Sequence, residues 1–310
     1  MQLFNRKIFA KTKEKTDFSD LSHRRRLYMA IRTDLAVELT AGQEHLQERG
    51  VRVEERTEQG ITITTVDILT PEAAREIGKP EGRYITVSAR PFSEAGVHSD
   101  EQTQLIADCI APLLPREGTL LIVGLGNEHI TPDAIGPRCV DLILATRHLP
   151  GGEPFSGFRP VAAIAPGVLG QTGIESSDLV AGMVERISPA AVVVVDALAA
   201  RSLSRLGNTL QISDTGISPG SGVGNDRTEL SRRTLGVPVI SIGIPTVVDC
   251  ATLVEDLGAP VPEDADRSDM VVTPRDVDRM VQYGAKLIAL ALNRAAQPEL
   301  TLEEITYLIS

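Results

Sequence analysis

The sequence predicts an α/β fold, a three-layer α/β/α arrangement in which helices cover both faces of a mostly parallel sheet. Apolar strand segments alternate with stretches of helical periodicity along most of the 310 residues. The segments 120–125 and 191–195 are short, continuous and rich in β-branched residues, as expected for strands buried on both faces. Polar residues follow both segments, and open α/β sheets bind ligands where their strands end. We therefore expect a functional site at this edge of the sheet.

Composition excludes several classes of protein. Hydrophobic residues make up 42% of the chain and charged residues 24%, which is typical of a globular protein. No apolar run approaches the roughly 18–20 residues of a membrane span, and the N-terminus lacks the apolar stretch of a secretory signal. The cysteines Cys109, Cys139 and Cys250 are widely spaced, which argues against a disulfide framework or a zinc site. We expect a cytoplasmic protein with no membrane partner.

Charge is distributed unevenly along the chain. Residues 1–34 hold nine Lys/Arg and four Asp/Glu, whereas the remainder holds 22 and 38. The acidic remainder is a poor binder of nucleic acid. The basic N-terminal segment could bind nucleic acid or a membrane, could cover a site on the acidic body, or could be disordered.

The chain before residue 120 predicts a β-rich element. Residues 61–68 alternate as in a strand with one exposed face, and 84–89 reads as its partner. The helices expected in this part of the chain lie at 21–31, 40–49, 71–77 and 99–114.

The core repeats strand, loop and helix from residue 120 onward. Thr172 and Glu175 form a capping-box pattern at the start of one helix, and Pro189 ends that helix. The expected strands are 120–125, 161–165, 191–195, 209–212 and 237–242, and the expected helices are 134–147, 173–187, 247–257, 275–295 and 299–309.

These elements indicate one folded domain preceded by a basic segment. Residues 1–34 form the segment and residues 35–310 form a single α/β domain. Within the domain, 35–95 is the small β-rich addition and 99–295 is the core. No internal repeat or low-complexity linker interrupts it.

Two aspartates are the strongest catalytic candidates. Asp196 directly follows four valines and Asp133 follows the first core strand, so both are expected at the same crevice if the strands are neighbours. Two close carboxyl groups share a proton, which allows one to act as general base on water and the other as general acid on the leaving group. The alternative is structural: Asp133 caps the next helix and Asp196 binds local amides.

Two glycine-containing loops are candidates for binding substrate or an oxyanion. The loop at 124–127 does not continue as a dinucleotide-binding GxGxxG motif. The loop at 216–225 lacks the Lys-Ser/Thr of a P-loop and does not match Gly-x-Ser-x-Gly, so it is a substrate loop, a lid or a plain connection. The loop candidates are Gly124, Gly126, Asn127, Gly222 and Gly224.

Other polar residues support weaker hypotheses. His129 could be a base, a metal ligand or a surface residue, and no nucleophile elbow supports a triad of His129 with Ser202 or Ser221. Asp249 follows another strand and could cap a helix. Arg201 is a candidate for reading an acidic substrate side chain. Carboxylates suit hard divalent cations, so a metal at the aspartate pair is an open alternative and the metal itself is unknown.

Five stretches of the sequence resemble the germination protease family of spore-forming bacteria. The resemblance runs in matching order over about residues 31–255. It implies a fold similar to that of the hydrogenase-maturation endopeptidases, with Asp133 and Asp196 as the catalytic aspartates. The five stretches are GLGNEHITPDAIGP, RPVAAIAPGVLGQTGIE, VVDALAARS, QISDTGISPGSGVGN and GIPTVVD.

The resemblance also implies that the protein is made as a zymogen. The family cleaves after an acidic residue and before a hydrophobic residue followed by Ala, which Asp34-Leu35-Ala36 matches. Self-cleavage between Asp34 and Leu35 would release residues 1–34 as a propeptide. The family also prefers an acidic residue four positions before the cut, where this chain has Ile31.

The sequence as a whole predicts an endopeptidase. The resemblance implies that its substrates are small acid-soluble spore proteins, degraded during germination in the spore cytoplasm by a homotetramer. The alternatives are a metal-dependent peptidase that uses the same carboxylates and a nucleotide- or phosphate-binding protein that uses the glycine loops.

Overall fold

The computed structural model describes residues 33–43, 45–92, 100–152, 155–220, 227–256 and 270–310. The predicted helix at 21–31, most of the basic segment and the candidates Gly222 and Gly224 lie outside the described residues.

Nine strands form one sheet in the described part of the chain. Their spatial order is β1-β2-β3-β7-β8-β6-β4-β5, and β9 pairs with β8. The strands are β1 (Val51–Glu58), β2 (Ile61–Ile68), β3 (Gly82–Ser88), β4 (Leu120–Gly124), β5 (Val161–Ile164), β6 (Ala191–Ala200), β7 (Thr209–Ser213), β8 (Val239–Asp249) and β9 (Val271–Val272).

Helices cover both faces of this sheet, as the sequence predicts. The helices are α1 (Ala36–Thr40), α2 (His45–Glu48), α3 (Pro71–Ile77), α4 (Asp100–Ile110), α5 (Ile135–Val140), α6 (Leu169–Thr172), α7 (Ser176–Ile187), α8 (Arg232–Leu235), α9 (Cys250–Asp256), α10 (Val277–Ala296) and α11 (Leu302–Leu308). Helices α4, α5 and α10 pack on one face. Helices α1 to α3 and α7 pack on the other. None of the described helices is both long and apolar enough to cross a membrane.

The α/β fold is confirmed, but the sheet is mixed rather than mostly parallel. Strands β5, β4, β6 and β8 are parallel neighbours, and the other pairings are antiparallel. The β-rich addition joins the main sheet because β3 pairs with β7. The sheet is therefore continuous from the addition into the core.

The valines of β6 show how the sheet divides the core. Val193 and Val195 pack with the helices on one face, whereas Val192 and Val194 pack on the other, because successive side chains of a strand point to opposite faces. All four are fully buried. A strand buried on both faces reads as a continuous apolar run, which is why the sequence reveals it.

Several predicted elements differ from those in the structure. The predicted helix at 134–147 ends at Val140, because the amide of Leu144 bonds the Asn293 side chain and that of Thr146 bonds the Val161 carbonyl. The predicted helix at 173–187 begins three residues later, as α7 at Ser176, and the separate short helix α6 precedes residue 173. The predicted capping box does not form, because the Thr172 hydroxyl accepts a hydrogen bond from the Ile174 amide instead.

Strand β1 has no counterpart in the sequence prediction. Seven of its eight residues are exposed, so it lacks the apolar alternation that identifies a strand. Gln59 and Gly60 connect it to β2 with φ values of 52° and 79°, a backbone typical of two-residue hairpin turns.

Candidate active site

Three glycines bring the turn after β4 close to its neighbours. A Cβ on Gly124 would lie 2.2 Å from the Gly136 carbonyl oxygen, and a Cβ on Gly136 would lie 2.6 Å from the Val195 carbonyl oxygen. Gly126 has a φ of +110°, and a Cβ there would lie 2.0 Å from the Asp133 carbonyl oxygen. The absence of side chains therefore lets the turn fold tightly around Asp133. Gly124 and Gly126 have a structural role, and Gly126 also lines the cleft.

Asp133 lies in a short 3₁₀ turn before α5. The Asn127 amide donates a hydrogen bond to Asp133 Oδ2 at 2.7 Å. Burial raises the pKa of Asp133, although the Asn127 hydrogen bond and the Arg227 charge oppose the shift. Asn127 therefore binds the candidate carboxylate through its main chain. Its side-chain oxygen accepts hydrogen bonds from the His129 amide and from Gln171 Nε2.

Asp196 lies within β6, which continues beyond the expected strand end to Ala200. Its side chain is 6% exposed and its Oδ1 accepts a hydrogen bond from the Ala197 amide at 2.9 Å. Burial raises the pKa of Asp196 well above its ordinary value, and the charges of Asp133 and Asp34 raise it further. The charge of Asp133 is thus one of the causes that raise the pKa of Asp196.

Both aspartates line one cleft of about 320 Å³. The Arg227 charge opposes the rise in both aspartate pKa values, and Arg227 lines the same cleft. Arg201, which the sequence suggests for reading an acidic substrate side chain, is not among the residues that line the cleft. Ser218, Pro219 and Gly220 of the glycine-rich loop also line the cleft.

The segment that begins at Thr33 lies against the end of β6. The Asp34 amide donates to the Ala199 carbonyl at 2.9 Å, and the Ala199 amide donates to Asp34 Oδ2 at 2.8 Å. Lys79 Nζ lies 4.0 Å from Asp34 Oδ1. Asp34 also lines the cleft, so the residue predicted to precede the processed bond is beside the aspartate pair.

The two residues after Asp34 are fully buried. Leu35 is 0% exposed and packs in an apolar cluster with Leu198 and Val248. Ala36 is also 0% exposed, and its amide donates to Gln211 Oε1 at 2.8 Å. The chain from 34 to 36 therefore occupies a polar site, then an apolar site, then a site for a small residue.

Gln211 contacts this segment at two points. Besides accepting from the Ala36 amide, it donates through Nε2 to the Asp34 carbonyl oxygen at 2.8 Å. Sequence reasoning missed Gln211, Lys79 and Arg227. The available signal for Gln211 was a polar residue between the apolar Leu210 and Ile212 of a buried strand.

The weaker candidates lie outside this arrangement. His129 is exposed and contacts Glu128, which agrees with a surface role. Asp249 accepts hydrogen bonds from the amide and hydroxyl of Thr252 at the start of α9, which agrees with helix capping. Ser202 Oγ pairs with Ser204 Oγ and not with His129, and the other candidate serine, Ser221, lies outside the described residues.

Among the residues that the structure describes, no three or more His, Cys, Asp or Glu side chains are grouped so that they could hold a metal ion. The cleft offers two carboxyl groups of raised pKa. Such a pair holds one proton between two oxygen sites, so it can accept a proton from water and donate another to a leaving group.

Comparisons with known proteins agree on one family. The sequence model of the germination protease family matches residues 30–259. The chain is 42% identical over 318 residues to a germination protease of Clostridium perfringens (strain ATCC 13124), an alignment that covers 89% of this chain and 98% of the relative. It is 48% identical over 249 residues to one of Geobacillus sp. (strain WCH70), with 73% and 66% covered.

A solved structure is also similar over part of the chain. The crystal structure of the NiFe hydrogenase maturation protease HycI from Thermococcus kodakarensis KOD1 aligns with a TM-score of 0.35 and 17% sequence identity. The alignment covers 59% of this chain and 98% of that chain.

Proposed function

We propose that this chain, which belongs to the germination protease family and is a protease, hydrolyses peptide bonds through Asp133 and Asp196. The observation that carries the proposal is the placement of both carboxyl groups, with raised pKa values, beside Asp34 in one cleft. Membership of a protease family favours this function over the nucleotide- or phosphate-binding alternative.

The proposed mechanism uses one shared proton. Asp196, the more deeply buried of the two, begins protonated, and Asp133 begins ionised. Asp133 accepts a proton from a water molecule as the water oxygen bonds to the peptide carbonyl carbon. Asp196 then donates its proton to the leaving nitrogen as the carbon–nitrogen bond breaks. The products are a carboxyl terminus and an amine, and the proton has moved from one aspartate to the other.

The contacts of Asp34 support cleavage after an acidic residue. Its carboxylate accepts a hydrogen bond from the Ala199 amide and faces the ammonium of Lys79. The Lys79 side chain is mostly buried. The apolar site of Leu35 and the confined site of Ala36 suit the residues expected after the cut. Residues 34 to 36 thus have the contacts expected of a substrate bound to its own enzyme.

The zymogen and its wider role are part of the same proposal. Cleavage between Asp34 and Leu35 would release residues 1–34, which carry an excess of positive charge, from an acidic body. The proposed substrates are small acid-soluble spore proteins in the spore cytoplasm, and the proposed assembly is a homotetramer. The zymogen, the substrates, the location and the homotetramer are proposed from the resemblance to the germination protease family.

Peptide hydrolysis tests the proposed function. The processed chain is incubated with a synthetic peptide that contains Asp-Leu-Ala and with a matched peptide that contains Asn-Leu-Ala. We expect cleavage after Asp and at least tenfold slower cleavage of the Asn peptide, because Lys79 attracts a carboxylate and not an amide. Addition of EDTA should not change the rate.

Two outcomes would contradict this proposal. Equal cleavage of both peptides would remove the acidic specificity. Loss of cleavage in EDTA, restored by a divalent cation, would favour the metal-dependent alternative.

A further inference from the structure

We infer that Gln211 is a further catalytic residue, whose side-chain amide stabilises the carbonyl oxygen of the bond being cleaved. The inference rests on the proposed function, in which Asp34–Leu35 is the processed bond. The Asp34 carbonyl belongs to that bond, and Gln211 Nε2 donates to its oxygen at 2.8 Å.

The second contact of Gln211 fixes the direction of its amide. The Ala36 amide donates to Gln211 Oε1 at 2.8 Å, so the oxygen of the side chain faces Ala36 and the NH₂ group faces Asp34. Gln211 is 7% exposed. The donor is therefore buried and oriented before any reaction begins, which is the condition under which a hydrogen bond to a developing negative charge is most effective.

Sheet pairing places Gln211 on the same face of the sheet as Asp196. Gly243 of β8 pairs with Asp196 on one side and with Gln211 on the other. Paired residues of neighbouring strands point to the same face, and strands lie about 4.8 Å apart, so the two Cα atoms are separated by about 10 Å. That spacing suits a peptide group and one water between the two side chains.

The proposed step needs no proton from Gln211. As the water oxygen bonds to the carbonyl carbon, the carbonyl electron pair moves to the oxygen, which becomes negatively charged. Nε2–H of Gln211 stabilises that charge until the carbon–nitrogen bond breaks and the carbonyl re-forms. Proton transfer stays with Asp133 and Asp196.

A purely structural clamp is the competing interpretation, and the chain contains a matched example. Gln297 is 3% exposed, accepts the Arg159 amide at 2.9 Å and donates to the Arg159 carbonyl at 2.8 Å. Gln297 makes the same two kinds of contact as Gln211, and its Nε2 also lies 3.4 Å from Thr146 Oγ1, but it holds the main chain of Arg159 and not the Asp34–Leu35 bond. A change at Gln297 therefore measures the effect of losing such a clamp alone.

The experiment compares Gln211→Glu, Gln211→Met and Gln297→Glu with the wild type in the full chain. Intact-mass spectrometry follows cleavage at Asp34–Leu35, at a temperature below the measured Tm of every variant. Gln211→Glu keeps the acceptor for Ala36 and loses the donor to Asp34. We expect both Gln211 variants to process about 10²–10³-fold more slowly, as for other lost oxyanion donors, and Gln297→Glu to process at the wild-type rate.

A second readout separates catalysis from binding. Prolonged incubation yields the shortened Gln211 variants, which are assayed on the Asp-Leu-Ala peptide. We expect kcat to fall by about 10²–10³ with little change in KM, because the donor acts mainly in the transition state. A rise in KM alone would overturn the inference.

Failure of the inference differs from failure of the proposed function. Wild-type rates in both Gln211 variants would overturn only the inference, provided that Asp133→Asn and Asp196→Asn stay unprocessed. Wild-type rates in the two aspartate variants would overturn the proposed function itself. Wild-type cleavage at another bond would also overturn the inference, because Gln211 does not hold that carbonyl.

Discussion

Asp196 places a titratable group where the surrounding strand is apolar. Burial raises its pKa above the ordinary value of 3.8. The folded protein therefore binds this proton more tightly than the unfolded chain does, so the free energy of unfolding falls as the pH rises from 3.8 through the raised value. The site is stable with its proton and costs stability once that proton is lost.

Asp196→Asn should therefore stabilise the protein while it abolishes cleavage. At pH 7 we expect a Tm higher by a few degrees, because 1 kcal/mol corresponds to about 2–4 °C in a chain of 150–250 residues. The gain should shrink as the pH falls toward 3.8 and disappear below it, where the wild-type carboxyl is neutral in both the folded and the unfolded state. Thermal unfolding at several pH values measures this difference.

Asp249→Asn is the matched control for this prediction. Asp249 is 2% exposed and accepts two hydrogen bonds from Thr252, so its carboxylate has stabilising partners. We expect no gain in Tm at pH 7 from Asp249→Asn. An equal gain in both variants would mean that any buried carboxylate has the same effect, and the special environment of Asp196 would be refuted.

We expect the charge of Lys79 to set the preference for an acidic residue before the cleaved bond. Burial lowers the pKa of Lys79, whereas the charge of Asp34 raises it. Lys79→Met removes the charge that faces Asp34, so we expect the preference for the Asp over the Asn peptide to fall about tenfold, or about 1.4 kcal/mol. The exposed Lys286 provides the control, since Lys286→Met should leave the preference unchanged. An undiminished preference in Lys79→Met would show that another group reads the acidic side chain.

At the scale of elements, the turn after β4 shows how backbone geometry positions Asp133, which we propose to be catalytic. Gly126 has positive φ and approaches Asp133 more closely than any side chain would allow. Gly126→Ala should lower Tm and slow processing. We expect it to cost more than the 1–2 kcal/mol or so of a left-handed conformation, because the new Cβ also meets the Asp133 carbonyl.

Gly42→Ala separates the two effects in that prediction. Gly42 has a φ of +71°, but no atom lies within 4 Å of its added Cβ. It should show the conformational cost alone and keep the wild-type rate of processing. If Gly126→Ala were no more harmful than Gly42→Ala, close packing of the turn would not be what positions Asp133.

The apolar pattern of each strand determines whether the strand could be predicted from the sequence. Strands β4 and β6 are continuous apolar runs, so their positions and the aspartates after β4 and at the end of the valine run were predictable. Strand β1 is exposed on both faces and has no such pattern. Strand β8 continues through Gly243 and Pro245, residues that usually mark a strand end, and its pairing with β6 shifts register just after Pro245.

At the scale of the whole molecule, one sheet gathers residues that are far apart in sequence. Asp34, Asp133 and Asp196 line one cleft. The pairing of β7 with β8 places Gln211 where it contacts Asp34 and Ala36. That pairing joins strands of different direction in an order that hydrophobic periodicity does not encode. The aspartate pair could therefore be predicted from two local patterns, whereas Gln211, Lys79 and Arg227 required the three-dimensional arrangement.

The charge of the whole molecule fits the proposed zymogen. The segment before Leu35 is basic and the rest of the chain is acidic. Processing at Asp34–Leu35 would therefore leave a more acidic enzyme.

The central claim is that Asp133 and Asp196 together cleave the Asp34–Leu35 bond. Intact-mass spectrometry of the full chain over time tests it most directly, with Asp133→Asn, Asp196→Asn and Asp249→Asn beside the wild type. We expect the wild type and Asp249→Asn to lose residues 1–34, and the two cleft variants to be slower by about 10²–10⁴-fold or more. Processing of either cleft variant at the wild-type rate would contradict the claim, because the reaction would then proceed without the pair.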